Sequence, residues 1–414
     1  MKIQKKRPLH LFEGYGIEME YIIVSNSELS VLPISDKLLK KAAGEIISEY
    51  DRGSMAWSNE LVLHLIEIKT NGPAESLEEA SDAFQKEVSG IEEILTEFNA
   101  RLMPGAIHPW MDPFKVKLWP HEFNPVYEAY NRIFDCRGHG WANLQSTHLN
   151  LPFHGDEDFE KLHAAVRLVL PLIPALAASS PIADGEIKPF LDFRMEMYRT
   201  NSKRIPSVTG LIVPEAVFTQ EDYQKEIFDR MYEDISPFDS DGILQDEWLN
   251  SRGAMSRWDR ETIEIRVIDI QENPAADLAI LEWIINLTKA MVDEIWTSLD
   301  DQKKWSENSL YDILMAVVRD GEQAMISNSQ YLSLFGLNNE KISANELCIH
   351  IFESLKSDYS FSDGAIDHLK MIFNEGPLAR RILNTLPNNY DHEDLFEVYE
   401  NLCDCLRNGT PYIP

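Results

Sequence analysis

The sequence has few cysteines and no long apolar run. Only four cysteines occur in 414 residues, and their spacing suits neither a zinc site nor a disulfide framework, which favours a reducing compartment. The most apolar stretch, residues 162–183, is interrupted by Arg167, Pro171 and Pro174, so it is too broken for a membrane span. Residues 1–20 begin with basic side chains but lack the apolar region of a secretion signal. We therefore expect a soluble cytoplasmic protein.

Basic residues are scarce relative to acidic ones. The chain has 38 lysines and arginines against 69 aspartates and glutamates, a formal net charge of −31. A surface this acidic repels phosphate backbones and anionic lipid. We therefore expect neither a nucleic-acid partner nor a membrane partner.

The usual nucleotide-binding and hydrolase motifs are also missing. No G-x-x-x-x-G-K-[ST] loop occurs, which argues against a Walker-type ATPase. The sequences GYG (14–16) and GHG (138–140) lack the further glycine of a dinucleotide fingerprint, and no G-x-S-x-G elbow appears. A nucleotide, if the protein uses one, must be bound by other means.

The distribution of patterns predicts an α+β body followed by helices. Residues 76–102 have apolar residues at helical spacing, with Ser76 as N-cap and Glu79 three positions on. Residues 273–299 open with Asn273 as N-cap and a proline at the first helical position. Beyond that point the chain is helical and polar as far as residue 409. We predict a mixed body over residues 1–299 and a helical C-terminal part over residues 300–414, packed on it.

Four segments that resemble strands carry polar groups on only one face: 14–24, 65–73, 146–152 and 261–271. Side chains of a strand alternate between its two faces. One face therefore presents the pairs Glu18 and Glu20, Glu67 and Lys69, His148 and Asn150, and Glu264 and Arg266. Taken singly, each segment is an ordinary amphipathic strand with a solvated face or a structural ion pair.

Taken together, these strands suggest a metal site. If they line one concave sheet, four carboxylates and His148 converge. Two carboxylates about 6 Å apart repel each other by about 3 kcal/mol at an effective dielectric near 20, so such a group requires a cation. Oxygen ligands with a single imidazole favour Mg²⁺ or Mn²⁺ over zinc. Magnesium in a carboxylate cleft is typical of a bound nucleoside triphosphate, and we expect ATP.

Six motifs resemble, in order and approximate spacing, those of the glutamate–cysteine ligase family 2, the carboxylate–amine ligases of the glutamine synthetase-like superfamily. The motifs are GIEMEY, ELVLHLIEIKTNGP, GAIHPW, STHLNLP, ASSPIADG with FLDFR, and IEIRVIDIQENP. The resemblance implies a curved, mainly antiparallel sheet that forms a funnel flanked by helices. It implies ATP- and magnesium-dependent activation of a carboxylate, typically the γ-carboxylate of glutamate, as an acyl phosphate. An amine, cysteine or another, then displaces phosphate. At the level of the family, the resemblance also implies a role in glutathione biosynthesis and a homodimer.

The resemblance also implies roles for individual residues. Glu18, Glu20, Glu67, His148 and Glu264 match metal ligands. Glu60 would be a further carboxylate ligand, but it has the opposite strand parity from Glu67 and can join only if a turn or bulge intervenes. Arg266 and Arg194 would be the catalytic residues, and Arg266 would contact ATP phosphate or the acyl phosphate. The remaining substrate- or ATP-binding candidates are Arg194, its companion Arg199, His108 and Asn150. For His108 a structural role is the alternative.

Two segments depart from the family pattern. Residues 118–143 lack the expected Arg-Tyr pair and are rich in aromatic and charged residues, and we expect them to help form the substrate pocket. Asp192 and Glu196 add acidic groups beside Arg194. Two alternative functions stay open: a phosphotransferase of the same superfamily, and a non-catalytic homologue that binds a nucleotide or an amino acid.

Overall fold

The computed structural model describes residues 7–414; residues 1–6, part of the stretch considered above for a secretion signal, lie outside the described residues. The strands are β1 Gly16–Ser25, β2 Glu49–Asp51, β3 Met55–Asn59, β4 Leu65–Thr70, β5 Ala100–Met103, β6 Ser146–Pro152, β7 Ile182–Ala183, β8 Glu186–Ile187, β9 Ala254–Arg257, β10 Thr262–Asp269, β11 Met325–Ile326 and β12 Ile342–Ser343.

The helices alternate with these strands and then dominate the C-terminal part. They are α1 Ser35–Ala43, α2 Leu77–Leu95, α3 Asn124–Phe134, α4 His139–Ala142, α5 Gly155–Val169, α6 Pro174–Ala177, α7 Phe193–Asn201, α8 Gln220–Tyr223, α9 Asp229–Ile235, α10 Pro274–Val292, α11 Leu299–Gln302, α12 Glu307–Asp320, α13 Ser329–Ser333, α14 Ala344–Leu355, α15 Asp363–Glu375, α16 Leu378–Thr385 and α17 His392–Asn408. None of the helices in residues 7–414 combines the length and apolarity needed to cross a bilayer.

One open, eight-stranded sheet organises the fold. Its order is β2-β3-β4-β1-β6-β10-β9, and β5 pairs with the C-terminal half of β1. Every strand pairing in this sheet is antiparallel. The predicted α+β fold with a mainly antiparallel sheet is therefore confirmed, as are the four strands predicted from alternation.

The apolar face of the sheet packs against helices. Ile17, Met19, Ile68 and Leu149 point to this side and are fully buried. They share one hydrophobic core with residues of α2, α5 and α10, such as Trp283. Because alternate side chains of a strand face opposite ways, burial of these residues commits the acidic residues between them to the other face.

The predicted helix over residues 76–102 is too long. The Ser76 hydroxyl accepts a hydrogen bond from the Glu79 amide at 3.3 Å, as its N-cap role requires. The helix ends at Leu95, Asn99 adopts a left-handed conformation with φ of 51°, and residues 100–103 pair with β1 as β5. Residues 100–102, the end of the predicted helix, are too few to distinguish helical from strand periodicity. The end of the helix therefore becomes visible only in the pairing of β5 with β1.

Helix α10 lies at the centre of the helical layer. Asn273 caps it by accepting from the Ala276 amide at 3.0 Å, and it ends at Val292, seven residues before the predicted end. In the C-terminal part, α14 and α15 pack against α10, and α17 packs against α2 and β5. These contacts agree with helices packed on the body, and the division at residue 299 stays a prediction.

Candidate functional site

Strand register assembles the polar face of the sheet. Glu18 on β1 lies opposite Lys69 on β4 and opposite His148 on β6. Glu20 lies opposite Glu67, and Glu264 on β10 lies opposite Asn150 on β6. Since paired residues point to the same side of a sheet, four strands project their polar side chains into one region. Glu18 and His148, 130 positions apart in the chain, thereby become neighbours.

His148 is shared by two groups of potential metal ligands. One group is Glu18, His148 and Glu264, and the other is Glu20, Glu67 and His148. Within each group, one donor atom per residue lies within 4.8 Å of the others. Nδ1 of His148 lies 2.9 Å from a Glu18 oxygen and 3.8 Å from a Glu264 oxygen. We call these five residues the acidic cluster.

Ser146 connects the two sides of the acidic cluster. Its hydroxyl lies 3.0 Å from Nε2 of His148 and donates to Oε2 of Glu20 at 2.9 Å. The backbone amide of Ser146 donates to the same oxygen at 2.8 Å. With its hydroxyl donating to Glu20, Ser146 accepts from Nε2 of His148. Both nitrogens of His148 then donate hydrogen bonds, which defines the orientation of the ring.

The acidic cluster contains more negative than positive charge, and the pKa values of its residues are shifted accordingly. Burial opposes ionisation of Glu18, but the hydrogen bond and charge of His148 outweigh it and lower the pKa of Glu18 to about 2. Burial and then the charge of Glu18 raise the pKa of Glu67. Burial lowers the pKa of His148, but its carboxylate neighbours, led by Glu18, produce a net rise. A cation among these oxygens would relieve the repulsion that raises the pKa of Glu67.

The donor set of the acidic cluster fits a hard divalent cation. Four carboxylates and one imidazole are available, and neither group of potential ligands contains a cysteine. Carboxylate oxygens with few nitrogen ligands suit Mg²⁺ or Mn²⁺. The residues present are therefore compatible with the metal that the sequence predicted.

Glu60 reaches the same region but belongs to neither group. It follows directly after β3, in the turn before β4, which is the intervening turn that its strand parity requires. Ser58, two residues earlier, lies opposite Glu67 and donates to it at 2.6 Å. Burial, then the charge of Glu67, raises the pKa of Glu60 well above its usual range. Glu60 thus lies close to the acidic cluster without contributing a donor atom to either group.

Two cavities border the acidic cluster. The outer cleft, about 590 Å³, has Gly14, Gly16, Glu18, Lys69, Thr70, Asn150 and Arg260 among its lining residues. The inner pocket, about 130 Å³, has Glu20, Glu60, Trp141, His148, Arg194, Tyr198 and Arg266 among its lining residues. Glu18 and Glu20, neighbours on one face of β1, therefore open into different cavities. The acidic cluster lies between a larger and a smaller cavity.

Arg266 and Arg194 both line the inner pocket. Nε of Arg266 lies 3.2 Å from a Glu264 oxygen. Arg194 is 1% exposed, forms an ion pair with the buried Asp269, and donates from its two Nη atoms to the backbone carbonyl of Arg266 at 3.2 and 3.3 Å. The side chain of Arg194 thus supports the backbone that carries Arg266.

Two sequence-predicted residues lie elsewhere. Arg199 forms a two-bond ion pair with Glu196, one helical turn earlier, at 2.5 and 2.6 Å, and does not line the inner pocket. His108 is fully buried and lines a different cavity. Its Nε2 lies 2.7 Å from the Leu29 carbonyl, and its Nδ1 accepts from the Trp110 amide. Both nitrogens are engaged by the backbone, so the structure supports the structural role for His108.

Sequence reasoning overlooked several residues of the site. Ser146 has the strand parity of His148, so alternation could have found it. Trp141 lies in the aromatic segment 118–143, whose expected contribution to the pocket is consistent with its position there. For Tyr198, one turn after Arg194 on α7, we find no sequence signal that separates it from a core tyrosine.

The chain shares its fold with solved structures of ligases. A family model described as glutamate-cysteine ligase family 2 (GCS2) matches residues 15–328. The chain belongs to this family, and membership supports a carboxylate–amine ligase. The chain is also 30% identical, over 399 residues, to a protein of Archaeoglobus fulgidus described as uncharacterized, an alignment that covers 96% of this chain and 100% of that protein.

Two solved structures share the fold at low sequence identity. The glutamate–cysteine ligase of Francisella tularensis in complex with AMP has a TM-score of 0.61 and 13% identity, covering 95% of this chain and 88% of that chain. A bifunctional glutathione synthetase of Pasteurella multocida has a TM-score of 0.61 and 12% identity, covering 96% of this chain and 53% of that chain. At these identities the similarity shows the fold alone.

Proposed function

We propose that this protein is an ATP- and Mg²⁺-dependent carboxylate–amine ligase of the glutamate–cysteine ligase type that forms an amide through an acyl phosphate. The observation that carries the proposal is the position of the acidic cluster between two cavities. Of the two, only the outer cleft falls in the size range of small-molecule sites, about 300–1,000 Å³. We assign ATP to the outer cleft and the acid substrate, glutamate first among candidates, to the inner pocket.

The acidic cluster would hold Mg²⁺ or Mn²⁺, which when bound neutralises and orients a transferring phosphoryl group. Lys69, Arg260 and Asn150 line the outer cleft beside Glu18 and are available to contact phosphate oxygens. The reaction requires no covalent attachment to the protein, because positioning and charge stabilisation suffice for phosphoryl transfer.

Arg266 has the charge and geometry to stabilise the acyl-phosphate step. Its planar guanidinium suits bidentate contact with phosphate or carboxylate oxygens, and its backbone is supported by Arg194. In this step a carboxylate oxygen of the acid attacks the γ-phosphorus of ATP, and the bond from that phosphorus to the bridging oxygen of ADP breaks. Arg266 faces the negative charge that develops on the transferred group.

Amide formation then releases phosphate. The nitrogen of the amine, after losing a proton, attacks the acyl carbon; the carbon–nitrogen bond forms as the carbon–oxygen bond to phosphate breaks, and phosphate leaves with the electron pair. An amine that arrives as an ammonium ion loses two protons in total, one to the departing phosphate and one to solvent. Closure from water would protect the acyl phosphate from hydrolysis.

A substrate screen tests the proposal. Purified protein is incubated with Mg-ATP, glutamate or another amino acid, and a panel of amines that includes cysteine, while ADP and phosphate are measured and products are identified by mass spectrometry. We expect ADP formation that depends on the amine, and a loss of about 10²-fold or more in Glu20→Gln. A stable phosphorylated acid would indicate the phosphotransferase instead. Mg-ATP binding without turnover of any pair would indicate the non-catalytic homologue.

A further inference from the structure

A third cavity, of about 280 Å³, shares no lining residue with the outer cleft or the inner pocket. We call it the His64 cavity, and its lining residues include Val31, His64, Trp110, Met111, Asp112 and Lys117. Its volume is close to the lower end of the range of small-molecule sites, about 300 Å³. The proposed function assigns no substrate or product to this cavity.

His64 brings a bare imidazole nitrogen to this cavity. The residue is 2% exposed, and its Nε2 lies 2.8 Å from the Ala142 carbonyl. Because a carbonyl oxygen only accepts, Nε2 carries the proton. Burial lowers the pKa of His64 to about 4, so the ring is uncharged at neutral pH and its Nδ1 is an acceptor. This Nδ1 has no hydrogen-bond partner within residues 7–414, whereas both nitrogens of His108 are engaged by the backbone. A ligand that donates a hydrogen bond would satisfy it.

The mouth of the His64 cavity is positive although the chain as a whole has a formal net charge of −31. Lys115 and Lys117 both line the cavity and are exposed. Lys115 pairs with Asp112 at 3.3 Å, and Lys117 has no ion-pair partner in the described part of the chain. The carbonyl of Lys117 accepts from the Leu63 amide at 2.8 Å, which holds its backbone beside His64. The cavity therefore offers a cation at its mouth and an acceptor inside.

These two contacts define the chemistry of the ligand. A single unpaired lysine suits one negative charge, such as a carboxylate. The donor to His64 is a hydroxyl in preference to an ammonium group, because Asp112, the one acidic lining residue in the described part of the chain, is exposed and already paired. A buried ammonium group would then have only a neutral imidazole as its partner, which costs more than burying a hydroxyl. Val31, Trp110 and Met111 provide walls for a short hydrocarbon part.

Helix α4 connects the His64 cavity to the inner pocket. His64 donates to the carbonyl of Ala142, the last residue of α4. Gly140 and Trp141 of the same helix line the inner pocket. The helix is packed closely on α7, since a Cβ atom at Gly140 would lie only 2.8 Å from Cβ of Asn201. A change in the contact between His64 and Ala142 therefore acts on a helix that forms a wall of the inner pocket.

We propose that the His64 cavity binds a small hydroxycarboxylic acid, with its hydroxyl donating to Nδ1 of His64 and its carboxylate at Lys117, and that the bound hydroxy acid stabilises α4 against the inner pocket. A hydroxyl that donates to Nδ1 selects the tautomer with the proton on Nε2, which is the tautomer that donates to Ala142. Binding of the hydroxy acid and the contact with α4 therefore strengthen each other, which couples the two sites. The binding site stands independently of the proposed function, and the effect on the inner pocket rests on it.

Three matched ligands test the chemistry of the site. The first, 2-hydroxy-3-methylbutyrate, has both groups, whereas 3-methylbutyrate lacks the hydroxyl and 3-methylbutane-1,2-diol lacks the carboxylate. Saturation-transfer NMR titrations without ATP or metal measure Kd for each. We expect the hydroxy acid to bind about tenfold more tightly than 3-methylbutyrate and about threefold more tightly than the diol. Equal affinities, or no signal from any of the three, would overturn the inference.

Two substitutions of His64 separate binding from the contact with α4. In His64→Gln the amide nitrogen can take the place of Nε2 and donate to Ala142, but no acceptor remains in the place of Nδ1, so Kd of the hydroxy acid should rise about tenfold. In His64→Asn the shorter amide places an oxygen near the position of Nδ1 and leaves Ala142 without its donor. Its Kd should rise less than in His64→Gln, while the coupling is lost. Urea unfolding checks that both variants fold.

The lysine contact has its own variant and control. Lys117→Met should raise Kd of the hydroxy acid about threefold, the effect of one exposed charge. Lys304→Met, a change at an exposed lysine that does not line the cavity, should leave Kd unchanged. Wild-type affinity in both His64→Gln and Lys117→Met would place the ligand elsewhere and refute the site. A valine signal as strong as that of the hydroxy acid, and lost in His64→Gln, would refute the choice of a hydroxyl.

The ligase assay tests the coupling and separates it from the proposed function. Saturating 2-hydroxy-3-methylbutyrate should lower KM for the acid substrate about fivefold in wild-type protein and have no effect in His64→Asn. An unchanged or raised KM in wild-type protein would refute the coupling. If no acid and amine pair reacts but Kd of the hydroxy acid depends on His64, the ligase proposal fails and the site stands. If amide forms but binding does not depend on His64, the ligase proposal stands and the site is refuted.

Discussion

Replacing Glu67 with glutamine should remove most of the stabilisation by metal while leaving the metal-free protein folded. Without metal, an oxygen of Glu67 lies within 4.8 Å of one of Glu20, a repulsion of about 3 kcal/mol at an effective dielectric of 20. The same carboxylate lies 3.2 Å from Lys69, an attraction of about 5 kcal/mol on the same scale. A glutamine at this position removes both the repulsion and the attraction, and it keeps a side-chain oxygen that can accept the hydrogen bond from Ser58. The free energy of unfolding should therefore fall by no more than about 2 kcal/mol.

The response to metal should change much more. At a metal concentration of 100 times Kd, wild-type protein gains about 2.7 kcal/mol. Loss of one charged ligand that weakens binding about 100-fold leaves a gain of only about 0.4 kcal/mol at the same concentration. Urea unfolding of chelator-treated protein, with and without MnCl₂ or MgCl₂, measures both quantities.

Glu49→Gln is the matched control for this experiment. An oxygen of Glu49 lies 2.8 Å from Nζ of Lys69, and Glu49 contributes to neither ligand group, so its loss perturbs the same lysine without removing a ligand. We expect this variant to retain the full metal response. A wild-type metal response in Glu67→Gln would show that the metal, if any, binds elsewhere and that the acidic cluster is a structural feature.

Three further predictions follow from the same geometry. Arg266→Ala should fold and lose about 10²–10³-fold in kcat; a rate near that of wild type in the ligase assay would mean that the arginine does not face the reacting group. Arg199→Ala should change activity by no more than about twofold, because its partner is Glu196 and it lies outside the inner pocket; a large loss would place Arg199 in the reaction. Burial lowers the pKa of His64 and of His108 from 6.5 to about 4. The unfolded chain therefore binds more protons between these values, stability falls as pH falls from 6.5 to 4, and each histidine costs about 3 kcal/mol by pH 4; urea unfolding that does not vary over this range would contradict their burial as neutral groups.

The predicted residues differ in how well sequence patterns located them. Glu18, Glu20, Glu67, His148 and Glu264 alternate with apolar residues, and that alternation alone commits them to one face. Arg199 and His108 came from motif resemblance and had no alternating pattern of their own. Helical spacing places Arg199 one turn from Glu196, which offers it a local partner, and His108 follows a buried strand into the interior.

Glu60 shows that counting residues along the sequence does not tell whether two nearby side chains lie on the same face of a sheet. Within a continuous strand its parity would separate it from Glu67. The chain instead reverses between β3 and β4, so Glu60 follows the parity of Ser58, which lies opposite Glu67. A reversal is a property of the hairpin, and a pattern of alternation does not reveal on which residue it occurs.

The sequence by itself determined which side chains share a face, because the period of a strand and the burial of its apolar residues act locally. Tertiary structure alone decided their distances, because Glu18 reaches His148, and Glu264 reaches both, through pairings between strands more than a hundred residues apart. It also decided that Glu60, Trp141 and Tyr198, from three separate segments, border one pocket. Contacts of that kind depend on register and packing, which no short window of residues encodes.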